Sequence, residues 1–406
     1  MIRVIASTAL VTAAASVFAV PASANVGPLR ATVISRPVGA TSAAGAAKES
    51  VTYQIDIAHT GAAAGMLTPP LAPKWAVNLG NSVGYPVVVD HVIVVAANGS
   101  LIALRQKTGK VMWSQPAPTG GGWVGPAYDN GMIFSNVFYT NGSQGIGMFA
   151  FDLHSGKQVW SAVLPGQYAF SSPPTAANGI VYTGGAGSGG TVYAFSESSG
   201  QLLWTGSVEN GDNSSPAVSK DGVYVSYACP QTYDFNPTSG AQIWHYSGPC
   251  EGGGGSTPVL YDGRLYVEDS DVVNGYDGIA LTATTGQPVA NFNSNYPPAF
   301  ASQVGLFVTN TQTLVAAKVP KLTTLWTATT NSSDFFSTPP VVVGTTVYIE
   351  TEAGKLLGYD LRTGASTVTM GLGYTDNSPG FAAGLGYGDH ELIVPDGSEL
   401  IAVGGS

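Results

Sequence analysis

The sequence predicts an all-β chain: an eight-bladed β-propeller in which a strand from the N-terminal side closes the last blade. Three observations predict it. An Ala, a Gly six residues on and a Trp four further on recur, as in Ala150, Gly156 and Trp160. A Pro opening an apolar run precedes each copy, at Pro86, Pro126, Pro173, Pro216, Pro258, Pro297, Pro339 and Pro379, with separations of 39 to 47 residues. Eight starts at a period of about 42 residues match one blade per repeat. No stretch of this region sustains a helical 3.6-residue period. Gly makes up 53 of 406 residues, which suits many tight turns. Seven blades is the alternative, if the degenerate sixth unit is not a full blade.

The elements follow in order. Met1-Ile2-Arg3, an apolar run to about Val20 and the small residues Ala22-Ser23-Ala24 read as a secretory signal peptide over 1–24. Residues 25–50, rich in Ala, Gly, Ser and Thr, read as a flexible leader, and 51–406 as one propeller domain. Intact copies of the motif stand at Ala103/Gly109/Trp113, Ala150/Gly156/Trp160 and Ala194/Gly200/Trp204. Degraded copies follow: Asp234/Gly240/Trp244, Ala280/Gly286/Ala290, Ala316 and Trp326 without the Gly, and Gly358/Gly364/Val368. The last unit ends at Ala402 with no Trp after it, while Trp75 has no unit before it. Trp75 is therefore expected on the outer strand of the last blade, a clasp that removes exposed edges.

Each repeated residue has a structural role. The Gly serves a turn with φ > 0 between the outer two strands. The Trp buries its ring against the neighbouring blade, where its N–H needs an acceptor. The Ala leaves room for it. The Ser residues beside the prolines (Ser171, Ser172, Ser214, Ser215, Ser256, Ser337, Ser378) are expected to satisfy backbone groups near the axis rather than to act as nucleophiles.

Only 10% of residues are charged, and 15 Lys+Arg against 25 Asp+Glu give a net charge of −10. No basic surplus is present to neutralise phosphates, so nucleic acid is excluded as a partner. Beyond the signal segment no run is long and apolar enough to span a membrane. The two cysteines, Cys229 and Cys250, are expected to pair in an oxidising compartment.

The Ala150-Phe151-Asp152…Gly156…Trp160 run resembles the tryptophan-docking motif of quinoprotein-type, PQQ-like propellers. Tyr53-Gln54…His59-Thr60-Gly61 and the Pro-led strands resemble that superfamily too, over roughly residues 51–406. The resemblance implies pyrroloquinoline-quinone dehydrogenases, the propeller lipoprotein of the outer-membrane β-barrel assembly machine, and secreted relatives. The larger dehydrogenases stack their cofactor on a disulfide between adjacent cysteines, and no Cys-Cys stands here. No matching motif places their catalytic Asp or calcium-ligating Glu and Asn. The assembly lipoprotein's lipidated Cys is also missing. No cofactor is expected; a structural calcium ion at Glu268-Asp269-Ser270-Asp271 stays open, without an EF-hand pattern.

Loops leading into the Pro-led strands are expected to cluster at one channel mouth. They carry Trp123, Tyr168, Phe170, Asp212, Asn213, Phe336 and Asn377 as binding candidates, with Asp334 and Asp376 as a carboxylate pair for acid–base work on a glycoside. The five histidines, His59, His91, His154, His245 and His390, show neither a nucleophile-elbow context nor metal-pair spacing. The sequence thus reads as a secreted or periplasmic monomer that binds a protein or glycan at a channel mouth. The alternatives are a carbohydrate-active hydrolase or lyase and, further behind, a quinone dehydrogenase.

Overall fold

Each repeat folds as an antiparallel sheet of four strands that follow one another in sequence, the second repeat adding a short strand, Gly121–Trp123, beside Met132–Tyr139. The computed structural model describes residues 47–405, apart from 140–146, 165–171, 185–189, 211–213, 249–255, 274, 332 and 374–382. Eight blades follow one another: 87–116, 121–163, 175–207, 217–247, 259–292, 299–329, 341–371 and 386–405. The sixth is complete, with Ala299–Ala301, Val304–Val308, Thr313–Lys318 and Thr323–Thr329, so the count is eight. In blade 8 the strand Leu71–Asn78 pairs antiparallel with Glu399–Gly405, and Trp75 stands opposite Ala402. Among the described residues there is no helix, and none long and apolar enough to cross a membrane.

The repeated motif is a docking device between blades. Ala103, Ala150, Ala194, Ala316 and Ala402 lie directly opposite Trp113, Trp160, Trp204, Trp326 and Trp75, each beside a shift of register. The bulge turns the indole outward from its own sheet. Its N–H donates to a carbonyl of the next blade: Trp75 to Gln106, Trp113 to Leu153, Trp160 to Glu197, Trp204 to Pro237, Trp244 to Ala283 and Trp326 to Leu361, at 2.6–2.9 Å. The ring covers that blade's motif glycine. A Cβ on Gly156 would lie 2.6 Å from Trp113, and φ there is +66°. Glycine is required both for the turn and for the close approach.

Prolines open seven of the innermost strands, the second of each Pro-Pro pair standing next to the strand (Pro174, Pro298, Pro340). The eighth strand, Gly386–Gly388, follows Leu385 instead, and Pro379 lies outside the described residues.

A strap formed by residues 47–63 runs round the inside of the ring. Its backbone meets the innermost strands in blade order. Val88 N–H donates to Ser50 O, Tyr128 to Val51, Val218 to Ile57, Leu260 to Ala58, Phe300 to Thr60 and Val342 to Gly61. Ser50 N–H donates to Tyr387 O in blade 8, and the Thr52 hydroxyl reaches Pro174 O of blade 3 at 3.2 Å. All eight blades are tied to it. Residues 47–50 belong to this strap: Ala47 pairs with Ala63 and Ser50 with Val88. Ala62–Ala63 add a fifth, parallel strand to blade 7.

Candidate functional site

The innermost strands enter from the loops before the prolines and leave into short turns such as Asp90-His91. The strap's backbone bonds lie toward the turn end. Its side chains reach back toward the loop end: Gln54 Nε2 donates to Pro297 O at 3.0 Å, and the His59 ring contacts Tyr53 O at 2.7 Å and Pro216 O at 3.0 Å. Burial pulls the His59 pKa down to about 4, against the two carbonyls that favour its charged form. Among the described residues the strap lines the inside of the ring, and its Gln54 and His59 side chains face the loop end, the candidate mouth.

Hydroxyls knit this mouth together. Ser214 N–H donates to Ser172 Oγ (2.8 Å), and Ser214 Oγ donates to Ser256 O (3.1 Å). Ser215 N–H donates to Thr257 Oγ1 (3.1 Å), and Glu350 N–H to Thr338 Oγ1 (3.1 Å). The first three cross from blade to blade, the last stays within blade 7, and all four satisfy backbone groups, as expected of a hydroxyl beside the Pro; none is an activated nucleophile.

Second strands contribute a polar tier. Asn136, Ser226, Glu268 and Glu350 share one register position, two residues beyond Phe134, Tyr224, Tyr266 and Tyr348, which pair with the start of the innermost strands. Asn136 Nδ2 donates to Ser172 O (2.7 Å) and Thr183 Oγ1 (2.5 Å), which turns Oδ1 away from both. Asn136 Oδ1, Gln54 Oε1 and Ser337 Oγ are buried without a hydrogen-bond partner among the described residues, while the Ser256 hydroxyl is directed at the Glu268 carboxyl. Burial holds the Glu268 carboxyl well above its usual range; the Ser256 hydroxyl opposes this and Asp277 adds to it. Tyr53, whose ring lies 5.1 Å from Tyr85 at a tilt of 55°, feels the charges of Glu268 and Tyr296. Strap and wall therefore meet at Tyr53, Gln54, Glu268 and Tyr296. The sequence singles out Glu268 as part of an acidic loop and Tyr53-Gln54 within the family resemblance, but not their meeting.

The sequence candidates fare differently. Trp123 is 6% exposed, donates to Gln115 O (2.8 Å) and packs edge-on against Phe149 and Phe151. Phe336 is 1% exposed, bonded through its N–H to Gln312 Oε1 (2.9 Å). Neither presents an open ring face. Phe335, its neighbour, does, at 42% exposure, and so does Tyr276 at 44%. Asp334 is buried and accepts bonds from Lys355 Nζ (3.0 Å), Ala353 N–H (3.0 Å) and Thr351 Oγ1 (3.1 Å). Burial works to raise its pKa, but Lys355 and Thr351 prevail and hold it below the usual range. A carboxylate held in this way cannot serve as a general acid at neutral pH; it anchors the loop to the hairpin turn of blade 7. Tyr168, Phe170, Asp212, Asn213, Asp376, Asn377 and Cys250 lie outside the described residues. Cys229 is buried in the hairpin turn of blade 4, at φ +64°.

Fold and site together define a tryptophan-docked, eight-bladed propeller with a strapped channel. The model of the family described as outer membrane protein assembly factor BamB (PQQ_2) matches residues 63–189 and 188–372. The chain belongs to this PQQ-like propeller family. It is 30% identical over 217 residues to the dehydrogenase subunit of a quinone alcohol dehydrogenase from Gluconobacter oxydans, covering 47% of this chain and 26% of that one. The chain thus spans about a quarter of the length of that curated relative. Among solved structures, BamB from Moraxella catarrhalis superposes with a TM-score of 0.62 at 16% identity, over 82% of this chain and 97% of that one. A europium-containing methanol dehydrogenase superposes with a TM-score of 0.69 at 14% identity, over 88% and 98%. At such identities the likeness shows the fold alone.

The quinone that the dehydrogenases imply does not fit the described residues. The sequence has no adjacent cysteine pair for it to stack on. Among the described residues no three His, Cys, Asp or Glu side chains converge.

Proposed function

We propose that this chain is an exported binding or scaffold module that takes a glycan or a protein segment at the loop mouth of its channel. The observation that carries the reading is the pair of buried acceptors, Gln54 Oε1 and Asn136 Oδ1, that have no donor among the described residues, in a ring wall where burial also raises the Glu268 pKa. Buried polar atoms are normally paired, and hydroxyl or amide donors of a ligand would pair these. Phe335 and Tyr276 supply exposed aromatic surface of the kind enriched in interfaces. The N-terminal segment 1–24 supports export to the periplasm or beyond, and export supports the Cys229–Cys250 disulfide.

A hydrolytic role finds less support, because Asp334 is spent on Lys355. The test is a thermal-shift screen of oligosaccharides and peptides against the mature chain. A ligand that raises Tm in the wild type and fails to do so in Glu268→Gln or Asn136→Leu supports the reading. Ligands that act equally on the variants, or no ligand from either library, contradict it.

A further inference from the structure

At one blade interface two acids face each other. Asp129 ends the innermost strand of blade 2, Ala127–Asp129. Glu197 follows the third strand of blade 3, Thr191–Ser196. Glu197 is 2% exposed, and its carbonyl accepts the Trp160 indole N–H at 2.6 Å. It therefore sits at the docking contact that joins the two blades. Its Oε2 accepts from Asn130 Nδ2 at 2.9 Å. Its Oε1 has no hydrogen-bond donor among the residues that geometry pairs with it, and its carboxyl lies against that of Asp129, with the Gly179 backbone N–H also favouring its charged form. Two ionised carboxylates have no proton to put between them. The contact is a hydrogen bond only if one proton stays.

The neighbourhood supplies nothing else that would neutralise the pair. Asn130, Asn178 and Gly179 direct backbone N–H groups at Asp129. Tyr182, from the second strand of blade 3, faces Glu197, and Tyr128 stands beside Asp129. No Lys, Arg or His acts on either carboxyl among the described residues. The corresponding positions elsewhere are Val89 with Leu153, Ala177 with Pro237, Ser219 with Ala283, Tyr261 with Val319, Ala301 with Leu361, and Gly388 with Gln106. In the last of these an amide does the work of the acid, Gln106 Nε2 donating to Gly388 O at 2.7 Å. A titratable pair stands between blades 2 and 3 alone among these interfaces.

We infer that Glu197 and Asp129 share one proton, donated by Glu197 to Asp129, and that this proton is a latch between blades 2 and 3. Burial first, then the Asp129 charge, raises the Glu197 pKa to about 8. Above that pH the proton leaves to solvent, two like charges are left buried together, and the interface loosens. Below it the latch is closed.

The test is the slope of unfolding free energy against pH, which counts the protons taken up on folding. Between about pH 5 and pH 8 the wild type should take up about one proton more than Glu197→Gln, whose amide still donates to Asp129. Asp129→Asn should lose the same proton, and the double variant should lose no more than either single one. Variants that keep the wild-type slope overturn the latch. So do losses that add in the double variant, since they would mark two independent acids.

Discussion

Leu322 holds the turn position that glycine holds in six other blades, at φ +55°, and packs in the same apolar cluster as Ala290, which stands where the preceding blade would send a tryptophan. The two losses compensate. A glycine is demanded only where an indole arrives, and where none arrives a side chain fills the space.

That relationship predicts paired behaviour. Gly156→Ala forces a Cβ to 2.6 Å from Trp113 at positive φ and should cost about 1–3 kcal/mol in urea unfolding. Ala290→Trp alone should destabilise by overpacking against Leu322. Ala290→Trp with Leu322→Gly should recover most of that loss. Equal stability of the single and double variants would sink the docking rule.

The clasp and the strap make a second prediction. Deletion of 51–79 removes both Trp75, opposite Ala402, and most of the strap. It should unfold blade 8, expose the Glu399–Gly405 edge and produce association. Trp75→Ala leaves the strap in place and should lower stability by about 1–3 kcal/mol without association, its ring being half-buried. A truncated chain that stays monomeric and equally stable in light scattering and thermal melts contradicts the arrangement.

Asp234 breaks the motif by replacing its Ala. It is 2% exposed, Oδ1 has no partner, and burial, then the nearby Asp221 charge, pushes its pKa up to about 8. The native state holds this proton where the unfolded chain has released it. Stability therefore falls as pH rises from about 4 to about 8. Asp234→Ala should stabilise the chain, more so above pH 8 than near pH 4, in denaturant titrations at a series of pH values. A variant less stable than wild type at high pH would contradict this.

The proposed Cys229–Cys250 disulfide would close a loop of about 20 residues and contribute about 3 kcal/mol. Mass analysis should find the mature chain two hydrogens lighter than its reduced form, and Cys250→Ser should lower the urea midpoint under oxidising conditions only. Two free thiols in the exported chain would dispose of the pairing.

Blade number, clasp and docking were legible because one residue does one job at a fixed interval. Trp75 and Ala402 meet as their spacing requires. The strap was not legible. It binds through backbone groups and bends at Gln54, Ile55, His59 and Gly61, all at positive φ, so its side chains follow no period. The exposed aromatic of this loop is Phe335 rather than the candidate Phe336. A bridge between Phe336 and Thr351 buries Phe336 and leaves Phe335 outside, and local sequence does not record which of two adjacent rings faces in. The pairing of Asp334 was illegible for a related reason: its partner, Lys355, lies a hairpin turn away.

Hydrogen exchange of the mature chain, with and without the glycan or peptide that raises its Tm, tests the central claim most directly. The account predicts added protection in peptides spanning Tyr53–Gln54, Glu268 and Phe335, with the turns at Asp90, Asn130 and Asp262 unchanged. Protection confined to those turns, away from the loop end, would contradict it.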